Sequence, residues 1–155
     1  MNRNLYLYNK FSQFPFGTRI FSWVVCTTAP YFSTISPHVT KLQNGICEIE
    51  MTKKRKVTNH LGTVHAIAMC NMCELSAGLV MEASLNPELR WIPKGMNVQY
   101  LKKAETSLKA VAKPKHSVFQ IGDNSVYVDV FDKNENIVLK AEINMYVSER
   151  PAKKV

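Results

Sequence analysis

The sequence predicts an α+β domain in which a curved antiparallel sheet wraps one long buried helix. Three observations carry that expectation. From Val64 to Ala83 there is no proline, and Ile67, Met69, Cys70, Met72, Cys73, Leu75, Leu79, Val80 and Met81 together cover the whole circumference of a helix. A helix that is apolar all round is buried all round, and a run of this length fits a span through a domain core. Around it lie five segments in which apolar and polar residues alternate, the signature of half-buried strands. The last four of these are joined by short connections, which forces them to run antiparallel. A sheet with one apolar face and a helix apolar on every side bury each other when the sheet curls around the helix.

Taken in order, residues 1–44 form an aromatic-rich lead-in. Pro15 and Pro30 bracket a short helix, about Thr18 to Thr28, with Ile20, Val24 and Val25 as its buried stripe. The lead-in reads as a helical flap closing one side of the core, or as a lid lining an apolar pocket. Pro37 and Asn44-Gly45 mark turns. Gly45 to Thr52 is the first strand, with Cys47, Ile49 and Met51 on one face, and the basic run Lys53-Lys54-Arg55-Lys56 follows as a solvated strand end. After the helix, Asn86-Pro87 stops it and Arg90 to Pro93 turns the chain. Strands are expected at Gly95 to Leu101, Ser107 to Lys113 and around Val126, Val128 and Val130, and the longest at Ile137 to Val147 beyond the polar turn Asp132 to Asn136. The whole is a single domain: lead-in 1–44, core 45–148, and a frayed tail 149–155.

Composition narrows the function classes. The chain of 155 residues carries a formal net charge of +8, which favours anionic partners without choosing among nucleic acid, an anionic membrane surface and a phosphorylated small molecule. Aromatics are not interleaved with the lysines as in single-strand binders, so no nucleic-acid partner is expected. The four cysteines read as reduced thiols and the address as cytoplasmic, with no membrane span. Cys70-x-x-Cys73 lies inside the helix with no second pair, so both cysteines are expected as small core fillers. His60 and His65 lack companions at ligand spacing, so no metal and no bound cofactor is expected.

The polar residues that remain are the candidates for chemistry. Asn71 and Glu74, three apart, share one face of the apolar helix, and an ionised carboxylate there needs a partner or a task. Asn59 precedes His65 by six residues, with Gly62 allowing a tight turn between them. His65 falls at the helix start, where free backbone N–H groups favour negative charge and make the backbone at His65 and Ala66 a candidate oxyanion hole. Glu74 lies nine residues past His65, roughly two and a half turns, so the two point to opposite sides of the helix. One chain cannot bring both onto one substrate, whereas two chains related by a two-fold axis can.

The pattern Asn59-x-x-Gly62-x-x-His65, with an acidic residue nine beyond the histidine in an apolar helix, resembles the hotdog-fold acyl-CoA thioesterases. It is most similar to their phenylacetate-degradation and 4-hydroxybenzoyl-CoA types, and to an uncharacterised branch with glutamate as the acid. The likeness extends to Met96-Asn97-Val98-Gln99-Tyr100-Leu101 and covers about residues 40–148. It implies an acyl-CoA substrate, a homodimer or homotetramer, the Ala66 main-chain N–H as oxyanion donor, Glu74 of the other chain as base or nucleophile, and Asn59 as the orienting group. His65 would fix the turn and the helix start. Gly62, Asn71, Met96, Asn97, Tyr100, Lys102 and Lys103 are the implied substrate contacts. Lys94, Lys102, Lys103, Lys109, Lys113 and Lys115 are expected to offer CoA phosphates a basic patch. The chain departs from the family in having Ala66-Ile67 where Gly-Gly is common, Glu74 where Asp is common, and Pro93 where some relatives carry serine. A non-catalytic acyl-CoA binder and a basic nucleic-acid-binding domain are the alternative functions.

Overall fold

The computed structural model describes residues 2–151. Its core is a six-stranded antiparallel sheet in the order β1-β2-β4-β5-β6-β3, with strands β1 (His38–Gln43), β2 (Ile46–Met51), β3 (Leu89–Tyr100), β4 (Leu108–Pro114), β5 (Gly122–Phe131) and β6 (Ile137–Glu149). The long helix α3 (Ala66–Ser84) lies across the inner face against β2, β4 and β5. Strand alternation explains the embrace. Ile49 and Met51 on β2, Ala110 and Ala112 on β4, Val126, Val128 and Val130 on β5, and Ile143, Met145 and Val147 on β6 are all buried toward α3. Small residues fall where the helix must come close, with Ala112 opposite Val128 and Val128 opposite Ala141. Met72, Cys73, Ser76, Ala77, Val80 and Met81 on α3 are fully buried. Each of the larger ones contributes roughly 1.5–3 kcal/mol by leaving water.

The helical lead-in is a hairpin of α1 (Arg3–Phe11) and α2 (Gly17–Thr28), followed by a 3-10 segment, Pro30–Ile35. It packs on α3 and β1 through Phe21, 1% exposed, and Tyr8, whose ring meets Phe21 edge-on at 5.2 Å and whose hydroxyl donates to the Thr40 carbonyl at 2.7 Å. Ser22 Oγ, buried in α2, accepts the Val39 N–H at 2.8 Å and so hooks the hairpin to the sheet edge.

Several expectations need correction. The sheet has six strands, not five, because pairing begins at His38 inside the stretch read as helical lead-in. A register shift between Val39 and Lys41 breaks the two-residue period there, so Val39 and Leu42 are both buried three apart. The stripe expected on α2 is rotated, since Phe21 and Ser22 are buried while Ile20 is exposed, and α1 had no clear sequence signal. Arg90 to Pro93 does not turn the chain but is paired strand, and β3 runs from Leu89 with its irregularity between Pro93 and Gly95. Finally, α3 is not buried all round: Ile67 is 57% exposed, and Cys70, Glu74 and Glu82 are half-buried on the face turned from the sheet. Of the tail, Arg150 is held by its Nε donating to the Leu89 carbonyl at 2.8 Å, and residues 152–155 lie outside the described residues.

Candidate functional site

Ile67, Cys70, Asn71, Glu74, Gly78 and Glu82 recur at spacings of three and four, so they form one stripe along α3 on the face not packed against β2, β4 and β5. The lead-in covers the C-terminal part of this stripe. Between them lies an apolar cavity of about 260 Å³, walled by Leu7, Phe21, Val24, Val25, Phe32, Leu75, Leu79, Gly78 and Trp91, with Glu74, Glu82 and Arg3 at its polar edge. Trp91 closes one side: its ring lies over Gly78, where any side chain would meet it, and its Nε1–H donates to Glu82 Oε1 at 3.0 Å. Glu82 is therefore engaged. Glu74 is half-buried, and among the described residues no hydrogen bond or ion pair involves it. A carboxylate so placed beside apolar walls is available as a base or a nucleophile.

The start of α3 is set by His65. His65 is the N-cap, with extended backbone, and its Nδ1 accepts the Ile67 N–H at 3.1 Å. Its own N–H donates to the Val57 carbonyl and its carbonyl accepts from Met69 N–H. The Ala66 N–H, at the first helical position, has no acceptor among the described residues. Asn59 is not aimed at this N–H. Its Oδ1 accepts the Leu61 N–H at 3.0 Å and the Thr63 N–H at 3.2 Å, and its Nδ2 donates to Thr63 Oγ1 at 2.9 Å. These bonds staple the loop around Gly62, which takes a left-handed φ of 73° that disfavours any side chain.

Asn71 lies between the two regions. It is 7% exposed, its Nδ2 donates to Thr34 Oγ1 at 3.1 Å, and its Oδ1 is buried without a hydrogen-bond partner. It lines a small recess of about 180 Å³ with His65, Ile67, Ala68, Tyr31 and Thr34. Tyr100 stands over the same helix stripe, its hydroxyl 3.2 Å from Cys70 Sγ. The Cys70 hydrogen bond, helped by burial, pushes its pKa up to about 12, so the phenol stays protonated. Burial likewise pushes the Cys73 thiol far up, as suits a core filler. All four cysteines are free thiols, and among the described residues no group of three or more His, Cys, Asp or Glu is arranged to hold a metal.

The remaining candidates are not gathered here. Met96 packs half-buried on the inner face of β3, but Asn97 points the other way, into a shallow depression on the outer face of the sheet with Gln99, Tyr127, Asp129 and Lys140. Lys102 Nζ donates to Asn136 Oδ1 at 3.0 Å, and Lys103 is exposed. The expected lysines do not form one patch. Strands β3 and β4 are separated by β5 and β6, which sets Lys94 on β3 about 14 Å across the sheet from the β4 lysines Lys109 and Lys113, and Lys102 and Lys103 follow the far end of β3, away from Lys94. Lys94 is also bound to Asp123 at 2.8 Å and Lys109 to Glu48 at 2.7 Å. Sequence reasoning missed Trp91, Glu82, Arg3 and Phe32 as walls of the cavity. Only the Gly78 interruption of an otherwise bulky helix signalled that something large rests on α3.

Within one chain, Ala66 and Glu74 are eight residues apart, about 12 Å along the helix axis. No single carbonyl carbon of a bound ligand reaches both within one chain.

Comparison with known proteins places this geometry. The family model for a domain of unknown function, DUF4442, matches residues 17–147. Among solved structures, the structural-genomics target APC5556 is 38% identical, with a TM-score of 0.84 over 95% of this chain and 99% of its own. A thioesterase from Haemophilus influenzae, HI1161, is 12% identical, with a TM-score of 0.74 over 84% of this chain and 90% of its own. A hypothetical thioesterase from Streptococcus pneumoniae, solved with coenzyme A, is 19% identical, with a TM-score of 0.65 over 75% of this chain and 91% of its own. These neighbours share the hotdog fold with this chain. None of the curated proteins matches it.

Proposed function

We propose that this chain, which belongs to the DUF4442 family of domains of unknown function, hydrolyses an acyl-CoA thioester to free acid and CoA at a site shared by two copies of itself. The observation that carries this reading is Glu74: a half-buried carboxylate with no partner among the described residues, at the edge of an apolar cavity on the central helix of a hotdog fold. The acyl chain enters that cavity. The thioester oxygen meets the Ala66 N–H of the other copy, where the helix start favours negative charge.

Glu74 takes a proton from water as the water oxygen bonds to the thioester carbon. The tetrahedral oxyanion collapses with cleavage of the C–S bond, and the departing CoA thiolate receives the proton from Glu74. Asn59 acts by holding the loop that presents Ala66, and its hydrogen bonds support that role over direct contact with substrate. Self-association is supported by β3, a twelve-residue strand at the sheet border whose outer edge has no strand partner among the described residues. Coenzyme A bound to the streptococcal neighbour supports the choice of thioester. Four free thiols support a reducing, cytoplasmic setting.

The test is release of free thiol from a panel of acyl-CoAs, wild type beside Glu74→Gln. Loss of turnover by at least a hundredfold, with acyl-CoA binding and oligomeric state kept, is the expected result. Unchanged hydrolysis in the variant refutes the mechanism. A non-catalytic acyl-CoA binder is the second reading, favoured by one feature: Ile67 adds an exposed side chain beside the oxyanion donor, where the resembling enzymes carry glycine. Acyl-CoA binding without turnover in the wild type identifies that case.

A further inference from the structure

The outward face of the lead-in hairpin is unlike the rest of the surface. Phe14, Phe16, Trp23 and Tyr31 are 62%, 77%, 66% and 67% exposed, and Ile20 and Tyr6 are about half exposed. Phe16, Ile20 and Trp23 fall at i, i+4 and i+7, so α2 carries a second apolar stripe opposite the one that buries Phe21. Singly exposed apolar residues are ordinary on a protein surface, but six of them concentrated on one helical hairpin and the turn that follows it mark a contact.

Phe16 sharpens the point. It caps α2 with a left-handed φ of 61°, a conformation that glycine or asparagine adopts readily and a phenylalanine resists. The chain therefore accepts backbone strain to hold an aromatic ring at the hairpin tip, next to Phe14 and Pro15.

Charge identifies what the patch meets. The first acidic residue of the whole chain is Glu48, so the lead-in holds Arg3, Lys10 and Arg19 and no carboxylate. On α1, Arg3, Tyr6 and Lys10 share one exposed face. The fold then adds the basic run from a distant part of the sequence. Lys56 Nζ donates to Ser36 Oγ at 2.6 Å, and Lys54 lines a recess with Arg19 and Trp23, where Glu50 is the one acidic neighbour. Exposed aromatic side chains and cations carried together by a helical hairpin, with Arg19 and Lys54 beside Trp23, match the interface of an anionic bilayer, with rings among the headgroups and acyl carbons and cations at the phosphates.

We infer that the α1–α2 hairpin is a membrane-docking surface that seats this protein on an anionic lipid bilayer through Phe14, Phe16, Ile20 and Trp23. The helix α3, although long and apolar enough to cross a membrane by composition, is enclosed by the sheet and takes no part. Docking holds whether or not the chain hydrolyses thioesters.

The test uses the full chain and vesicles of phosphatidylcholine alone or mixed with phosphatidylglycerol, read by co-sedimentation and by tryptophan emission. Wild type is expected to sediment with the anionic vesicles, to be released by high salt, and to shift its emission to the blue as Trp23 leaves water. The triple variant Phe14→Ser, Phe16→Asn, Trp23→Ser is expected to lose at least tenfold in vesicle affinity while keeping its melting temperature, since asparagine tolerates the backbone at position 16. Lys10→Gln with Lys54→Gln is expected to weaken binding to anionic vesicles only. The inference is overturned if wild type stays in the supernatant at low salt, or if the triple variant binds as tightly. It is also overturned if the triple variant's sole effect is to break an oligomer, which would make the patch a contact with a second copy.

Discussion

Replacing Gly78 with valine tests the packing that shapes the cavity. Gly78 lies mid-helix in α3, where glycine is intrinsically costly, so its presence needs a packing reason. A Cβ added there stands 3.0 Å from Trp91 Cη2 and 3.4 Å from Cζ2. A lone methyl requires Trp91 to yield by a few tenths of an ångström, and the helix-propensity gain of about 1 kcal/mol for alanine offsets that cost. Valine is different. Its Cγ atoms drive the indole aside, with an overpacking cost of about 1–3 kcal/mol. Movement of the ring also strains the Trp91–Glu82 hydrogen bond, about 1 kcal/mol more. Valine recovers only a few tenths of a kcal/mol in propensity. Gly78→Val is thus expected to lose about 2–3 kcal/mol, a fall in Tm of about 4–12 °C for a chain of this size, and Gly78→Ala to stay near wild type. Urea melts followed by tryptophan fluorescence give both numbers, with the m-value unchanged. If the valine variant is as stable as wild type, Trp91 is free to move and does not form the cavity wall described here.

Two further outcomes follow from the same geometry. Asn71→Ala removes one hydrogen bond to Thr34 but also a buried carbonyl oxygen that has no partner, so in thermal melts it is expected to stay within about 1 kcal/mol of wild type. A loss above about 3 kcal/mol would mean that Oδ1 is fully satisfied, by a second copy for instance. His38 is half-buried beside Thr18 Oγ1, and burial, with Arg19 nearby, lowers its pKa below the usual imidazole value despite Glu50. A lowered histidine pKa means that the unfolded chain binds the proton more readily. This contribution is therefore present above about pH 6.5 and is lost as pH falls through the unfolded pKa toward the folded one. His38→Gln is expected to flatten the acid side of the Tm–pH curve, and an unaltered slope would remove His38 from the account.

Much of the core was legible because burial imposes a period. The alternation at Gly45 to Thr52 and at Ile137 to Val147 follows directly from one face being dry, and the apolar run from Ile67 to Met81 marks the central helix, although its exposed Ile67 shows that not every face is dry. The hidden elements are those where the period fails. A bulge in β1 leaves Val39 and Leu42 three apart, and Pro93 and Gly95 disguise the first half of β3. The stapled turn at Asn59 and Gly62 and the cap at His65 were readable because they are made from neighbours in the chain.

Beyond the reading of the lead-in as a lid over an apolar pocket, the cavity was not legible, since it joins Leu7, Phe21, Phe32, Glu74 and Trp91 from five separate segments, and no local rule links them. By itself, then, the sequence determined the central helix, the antiparallel sheet and Glu74 as an acid on that helix in need of a partner or a task; that Glu82 is the one engaged, by Trp91, came from the tertiary structure. Tertiary structure alone decided what Glu74 faces and separated Asn97 and the lysines from it, whereas its distance of about 12 Å from Ala66 already follows from their spacing on one helix. Local physics fixes capping, turns and periodicity, whereas the approach of distant segments depends on how whole faces pack.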